Sequence, residues 1–234
     1  MGERLDKFLA SQGLGTRKEV GKLIRSGAVL VNGAPQRDPG AKVEPGADRV
    51  TAQGEEIRYQ EFLTIMLNKP AGVLSATEDR RQKTVLDLLP EGLRRRGLFP
   101  AGRLDKDTTG LLLITDDGEL AHKMLSPKSH VYKQYRAQLD APVEEADIQA
   151  FAAGVAWEGE QYAPARLWVE QDPRAAFVEI REGRFHQVKR MFQARGKTVL
   201  QLKRLKIGGL WLDSTLQEGE CRLLTPQEIQ TIFH

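Results

Sequence analysis

Gly102-Arg103-Leu104-Asp105-Lys106-Asp107-Thr108-Thr109-Gly110 runs straight into Leu111-Leu112-Leu113-Ile114-Thr115. Two glycines bracket a turn that carries two aspartates and four cationic or hydroxyl neighbours, and the apolar run after it has the length of a buried strand. An aspartate in such a turn can fold back on its own backbone to shape it. Standing at the mouth of a buried strand, it can equally present a carboxylate to a pocket.

Outward from this stretch the signals mix strands and helices without one-to-one alternation. Leu63–Leu67 and Val73–Ser75 read as strands flanking a turn at Lys69-Pro70-Ala71-Gly72. Thr84–Leu89 reads as a short helix stopped by Pro90. Asp116-Asp117-Gly118-Glu119 starts a helix toward Leu125, and Glu144-Glu145 opens another that ends near Gly154. Leu167–Glu170 and Ala176–Arg181 read as paired strands. His186–Arg195 reads as a helix with Val188, Met191 and Phe192 inward, and Val199–Lys206 as a further strand. Thr225-Pro226-Gln227-Glu228 has the spacing of a capped final helix. The expected class is α+β, with a mostly antiparallel mixed sheet flanked by helices.

Within Val131–Leu139 the alternation puts Val131, Lys133, Tyr135, Ala137 and Leu139 on one face. A lysine on an apolar face is expensive unless it is paired or near a mouth. That face therefore offers a cation and a phenol side by side.

The front of the chain is a different object. Residues 4–12 read as a short helix with Leu5, Phe8 and Leu9 on one side. Gly13-Leu14-Gly15 breaks it, and Thr16-Arg17-Lys18-Glu19 has capping-box spacing for a second. On that helix Val20, Leu23 and Ile24 face inward, while Lys18, Lys22 and Arg25 lie within about 60° of one another opposite. Gly27 suits a left-handed cap, and Asn32-Gly33 a tight hairpin. Two helices and a hairpin with one basic face make a compact phosphate-reading surface. The turn-rich segments 38–40 and 44–48 close this module, and Arg58-Tyr59-Gln60-Glu61 is the expected linker. The division is thus 1–59 and 62–234.

The chain of 234 residues is 40% apolar and 29% charged, with a net charge of +3. Nine cations between Arg181 and Lys206 face Glu182 alone, whereas 140–172 is rich in carboxylates. Clustered cations in a near-neutral chain are an electrostatic footprint for a polyanion. No apolar run approaches the roughly 18 residues of a membrane span. The first dozen residues lack the apolar core of a secretory signal. Cys221 is the only cysteine, which excludes an internal disulfide and a thiolate metal cluster. A cytoplasmic setting is expected. Phosphate-loop, zinc-ligand and nucleophile-elbow spacings are all missing.

The front segments Arg4–Ala10 and Thr16–Gly33 resemble the small RNA-binding module first known from a small-subunit ribosomal protein. The stretches 66–73 (MLNKPAGV), 84–90 (TVLDLLP), 102–118, 133–135 (KQY), 183–192 (GRFHQVKRMF) and 206–210 (KIGGL) resemble the pseudouridine synthases that modify small-subunit ribosomal RNA. The two resemblances together span essentially the full chain, and G-R-L-D-x-x-T-x-G-L is the most specific motif. They imply an isomerase that cleaves the N1–C1′ bond of a uridine, turns the base and rejoins it through C5. Such a reaction needs no cofactor and no metal. The resemblance implies 16S ribosomal RNA as partner, in a small-subunit assembly intermediate, with uridine 516 as target. It also implies a monomer with no membrane partner.

The same resemblance assigns the residues. Asp105 is the catalytic carboxylate, whether it attacks sugar or base or removes a sugar proton. Lys189 is the cation that favours its ionised form. Tyr135 packs against the extruded uracil, and Ile207 lines the pocket. Lys133, Arg103 and Arg184 complete the substrate-binding set, the two arginines as phosphate contacts or loop braces. Arg4, Arg17, Lys18, Lys22, Arg25 and Arg190 are the expected RNA-binding cations. His186 is expected to be structural or RNA-contacting. Two alternatives stand beside this reading: a synthase acting on large-subunit RNA, and a non-catalytic RNA-binding ribosome-assembly factor.

Overall fold

The computed structural model describes residues 2–57, 59–95 and 97–234. The chain forms two compact units, Met1–Phe62 with Leu89–Leu98, and Leu63–Leu88 with Phe99–His234.

In the first unit, α1 (Leu5–Ser11) and α2 (Arg17–Ser26) precede β1 (Val29–Val31), β2 (Ala34–Pro35), β3 (Val50–Ala52) and β4 (Glu55–Ile57). The strands form one antiparallel sheet in the order β2-β1-β3-β4. The capping box at Thr16 and Glu19 is present, and Gly27 closes α2 in the left-handed region at φ 84°. Asn32 and Gly33 both take positive φ, which gives the hairpin a twist matching its strands. Leu5, Phe8, Leu9, Val20, Ile24, Val29, Val43 and Val50 pack as one core.

Arg58 of the expected linker lies outside the described residues. The rest of that segment is anchored rather than free. Tyr59 stacks on Phe8 with ring centroids 6.1 Å apart, and the Gln60 amide donates to Gln12 Oε1 at 2.9 Å. Leu89–Leu98, remote in sequence, joins this unit because Arg95 donates to the Gln60 and Glu61 carbonyls at 3.0 and 2.7 Å.

The second unit is built on one mixed sheet. Its main strands are β5 (Thr64–Lys69), β6 (Thr109–Thr115), β7 (Lys133–Leu139), β8 (Arg166–Val169), β9 (Ala175–Ile180), β10 (Val199–Ile207) and β11 (Cys221–Leu223). They lie in the order β8-β9-β7-β10-β6-β5-β11. Neighbours are antiparallel except β6 and β10, which run parallel with Thr109 opposite Lys203 and Gly110 opposite Arg204. The helices are α3 (Gly118–Leu125), α4 (Glu145–Ala153), α5 (Gln187–Gln193) and α6 (Pro226–Thr231). Met66, Leu111, Leu113, Ala121, Met124 and Val131 form the core beneath α3. Phe151 of α4 and Phe192 of α5 meet with centroids 4.9 Å apart.

Two local expectations change. Val73–Ser75 contributes only an isolated bridge, Leu74 to Thr84: the Leu74 amide and carbonyl bond to Lys83 and Val85, while the Ser75 hydroxyl turns to Leu104 of the 102–110 loop. Thr84–Leu89 is a single 3₁₀ turn, Val85–Leu88, with Asp87 accepting from the Thr84 amide at 2.8 Å.

Gly110 sits at φ 97° where β6 and β10 approach, and a Cβ there would collide with the Arg204 backbone. Both the conformation and the contact exclude other residues. Gly110→Ala is expected to lower stability by about 2–4 kcal/mol. An unchanged thermal midpoint would mean that the two strands do not approach this closely.

Candidate active site

The 102–110 loop is held by buttresses from three directions. Ser75 Oγ donates to the Leu104 carbonyl at 2.8 Å and accepts from the Leu104 amide at 3.1 Å. The Gly72 amide donates to the Lys106 carbonyl at 2.7 Å. Lys69, at the end of β5 and fully buried, donates to the carbonyls of Pro70, Lys106 and Thr108 at 3.0, 3.2 and 2.9 Å. Burial pushes the Lys69 ammonium down to about 8, against the opposing pull of Asp107 and Asp105. Sequence reasoning passed over Lys69 and Ser75; the only signal was an N-K-P-A-G turn, whose lysine gives no hint of where it points.

So fixed, Asp105 turns its carboxylate toward α5 instead of back onto the turn, which is closed by the Thr108 amide on the Asp105 carbonyl at 3.1 Å. Lys189 Nζ stands 3.1 Å from Asp105 Oδ2 and 2.6 Å from Asp107 Oδ1. Burial pulls the Lys189 ammonium down, but its hydrogen bonds to Asp107 and Asp105 outweigh that and hold it above its ordinary value. The Lys189 hydrogen bond lowers Asp107 in turn. His186 Nε2 lies 3.5 Å from Asp105 Oδ1.

Across from the loop, a register shift between Gln134 and Tyr135 brings Tyr135 opposite Arg204 of β10. Such bulges re-aim side chains beside functional sites. Arg204 donates through Nε to the Leu111 carbonyl at 2.7 Å and through Nη1 to the Tyr135 hydroxyl at 3.4 Å. It was visible in sequence only as one cation of the basic run. Lys133 is buried on the same face, and burial, with Arg204 adding to it, pushes its ammonium down to about 8.

Between loop and sheet lies a cleft of about 480 Å³, lined by Arg103, Asp105, Lys133, Tyr135, Arg184 and Arg204 among others. Ile180, Val188 and Leu202 supply apolar wall. The cleft therefore joins a carboxylate, an aromatic ring and several cations over an apolar floor. This arrangement suits a flat polar ring attached to an anionic backbone. Among the described residues no group of three His, Cys, Asp or Glu side chains converges as metal ligands.

Of the expected substrate-binding residues, Arg103, Lys133, Tyr135 and Arg184 line the cleft with Asp105, and Lys189 meets Asp105 from α5. Arg184 is also braced, by an ion pair to Glu160 and a 2.8 Å hydrogen bond to the Gln161 carbonyl. Ile207 is not in the lining: it is buried in the core with Met66 and Leu111, because its place in β10 turns it under α3 and α6. Arg190 donates to the Tyr162 hydroxyl at 3.4 Å and covers the Phe185 ring. In the first unit, Arg4 and Arg17 both bind the Asp6 carboxylate at 3.0 Å. Lys18, Lys22 and Arg25 are exposed on α2.

The RNA pseudouridylate synthase family matches residues 63–194, and the S4 domain matches residues 3–48. The chain belongs to the RNA pseudouridylate synthase family and is an isomerase carrying an S4 domain at its front. It is 46% identical over 233 residues to an uncharacterized RNA pseudouridine synthase of Bacillus subtilis, covering 98% of each chain. It is 42% identical over 232 residues to ribosomal small subunit pseudouridine synthase A of Escherichia coli, covering 98% of this chain and 99% of that one. A crystal structure of a pseudouridylate synthase superposes with a TM-score of 0.68 at 40% identity, covering 98% and 99% of the two chains.

The buried Lys133 has a pH signature. Its ammonium ordinarily titrates at 10.5 and here at about 8, so between those values the unfolded chain holds a proton that the folded chain has released. Stability contributed by this group therefore rises with pH across that window, and below it the buried charge is a full penalty. Lys133→Met is expected to be more stable than the parent at pH 7 by roughly 1–3 kcal/mol. Urea titrations at pH 7 and pH 10 check this, the difference shrinking at the higher pH. A difference independent of pH would show Lys133 to be solvated.

Proposed function

We propose that this enzyme converts a uridine of 16S ribosomal RNA to pseudouridine, that at position 516, with Asp105 as the catalytic carboxylate. The observation that carries the reading is the Asp105 carboxylate beside Lys189, at 3.1 Å, in a cleft also lined by Tyr135. Breaking the N1–C1′ bond builds positive charge on the sugar, and a preorganised anion there lowers the barrier. The electron pair of that bond leaves with N1 of the uracil. After the base turns, C5 bonds to C1′, the proton on C5 is lost and N1 is protonated, so atoms and charge balance without an external reactant. Lys189, 3.1 Å from the carboxylate, fixes its direction from the α5 side. The Tyr135 ring packs on the uracil and so fixes the plane in which it turns. Lys133 and Arg103 contact substrate, and Arg184, tied to Glu160, braces the rim.

The small-subunit target rests on likeness to a relative named for that subunit along nearly its whole length. Lys18, Lys22, Arg25 and Arg190 supply phosphate contacts, with Arg4 and Arg17 behind them. The substrate is an assembly intermediate in the cytoplasm, and the enzyme works as a monomer composed of an RNA-binding domain, 1–59, and a catalytic domain, 62–234.

Asp105→Asn is expected to abolish pseudouridine formation while leaving RNA affinity within about threefold, since phosphate contacts dominate affinity. Chemical mapping of pseudouridine in ribosomal RNA from cells with and without the gene tests activity and target together. A missing modification in large-subunit RNA instead would move the target, and none in either would remove the reading. Replacing Lys18, Lys22 and Arg25 together by Ala is expected to weaken binding and flatten the salt dependence by about 3 in log–log slope. An unaltered slope would take α2 out of the binding surface.

A further inference from the structure

Phe185 is 63% exposed, more than any other large apolar side chain among the described residues. It does not stand alone. Its ring stacks on His186 with centroids 3.7 Å apart and planes 19° from parallel, and the Arg190 guanidinium lies 5.1 Å from its centroid. His186 holds a left-handed backbone, φ 52° and ψ 26°, immediately before α5 begins. A side chain other than glycine is strained there, and such strain collects where a site needs it. The reversal aims His186 at Asp105, 3.5 Å away, and sets Phe185 on its outer side. Gly183, Arg184, His186 and Gln187 line the cleft while Phe185 does not, so the ring stands on the lip.

An exposed ring with a guanidinium against it and further cations in the same segment is a platform for a nucleobase, since every base offers a π-face and brings a phosphate. Arg190 lies against the ring, and Arg184 and Lys189 belong to the same short segment. A protein partner would meet a strongly cationic rim with one ring at its centre, whereas an RNA strand matches both features. We propose that Phe185 is a strand-opening residue: it stacks on the base adjoining the target uridine and fills the gap left when that uridine turns into the cleft. The His186 ring stacked on it and the Arg190 guanidinium against it hold the wedge in place. This inference rests on the reading of the cleft as the uridine site.

The test compares Phe185→Ala and Phe185→Trp in single turnover on two RNAs. One is a folded 16S fragment containing the target; the other is the same fragment with the facing nucleotides made non-complementary, so the uridine is already unpaired. Phe185→Ala is expected to slow the folded substrate about tenfold or more and the opened one less than about threefold, with Phe185→Trp near the parent on both. Because the ring is exposed, the thermal midpoint should be unchanged. A parental rate on the folded RNA, or an equal loss on both, overturns the wedge while leaving the cleft reading intact. No pseudouridine from the parent enzyme on either RNA overturns both.

Discussion

The 102–110 loop of this protein hangs on one buried ammonium. A turn that reverses direction between two strand segments leaves carbonyls pointing inward, and such groups must find donors. Lys69 answers two of them, those of Lys106 and Thr108, together with the Pro70 carbonyl of its own turn. Burial works against the charge, bringing Lys69 down to about 8, yet at neutral pH the proton stays and the loop keeps its charge-assisted bonds. Ser75 and Gly72 add their own bonds from the segment that follows β5. The loop is thereby referenced to the centre of the sheet rather than to solvent, which is what a carboxylate needs if it is to stay within a few tenths of an ångström of its working position.

Around that fixed point the charges are arranged by depth. Lys189 bridges two carboxylates, but Asp107 is 74% exposed at its side chain and Asp105 24%. The outer pair is the shorter contact and the more screened one, so its length says little about its strength. The inner pair is longer and sits where water is scarcer. Deeper still, Lys133 and Arg204 meet no carboxylate on their own face among the described residues. Arg204 instead ties itself to the Leu111 carbonyl and the Tyr135 hydroxyl. A cleft lined by several cations over an apolar floor, its Asp105 carboxylate already paired with Lys189, favours an anionic ligand over a free cation.

What could be read from the residues was local or periodic. The Thr16 capping box, the Asn32-Gly33 hairpin and the Val131–Leu139 alternation each depend on neighbours within a few positions; the first two stand where the pattern puts them, and the strand occupies Lys133–Leu139 of the third. The carboxylate of Asp105 was conspicuous because charge before an apolar strand is unusual. Its buttress was not conspicuous, because the pairing of Lys69 with Gly110, which brings the Lys69 ammonium to the Thr108 carbonyl, is encoded by no local pattern. For the same reason the parallel contact of β6 with β10, the edge strand Cys221–Leu223 and the placing of Leu89–Leu98 in the first unit were illegible. Ile207 shows the limit from the other side. It stands opposite Lys133, which lines the cleft, yet packs with Met66 and Leu111, and no local pattern marks where along that face the cleft gives way to the core.

The first unit shows how a basic residue can be recruited by the fold before any ligand arrives. Asp6 is 7% exposed and held down to about 2, first by its hydrogen bond from Arg4 and then by Arg17 against the cost of burial. Those arginines thus anchor the strand before α1 and the start of α2 to a single buried carboxylate. Two guanidiniums against one carboxylate still leave a positive remainder at the surface, so the cluster can be structural and attract phosphate together. Lys18, Lys22 and Arg25 form no ion pair among the described residues and keep their full charge on the exposed face of α2. The division follows from geometry: cations within reach of a buried acid become part of the frame, and those projecting from the far side of an amphipathic helix stay on the surface.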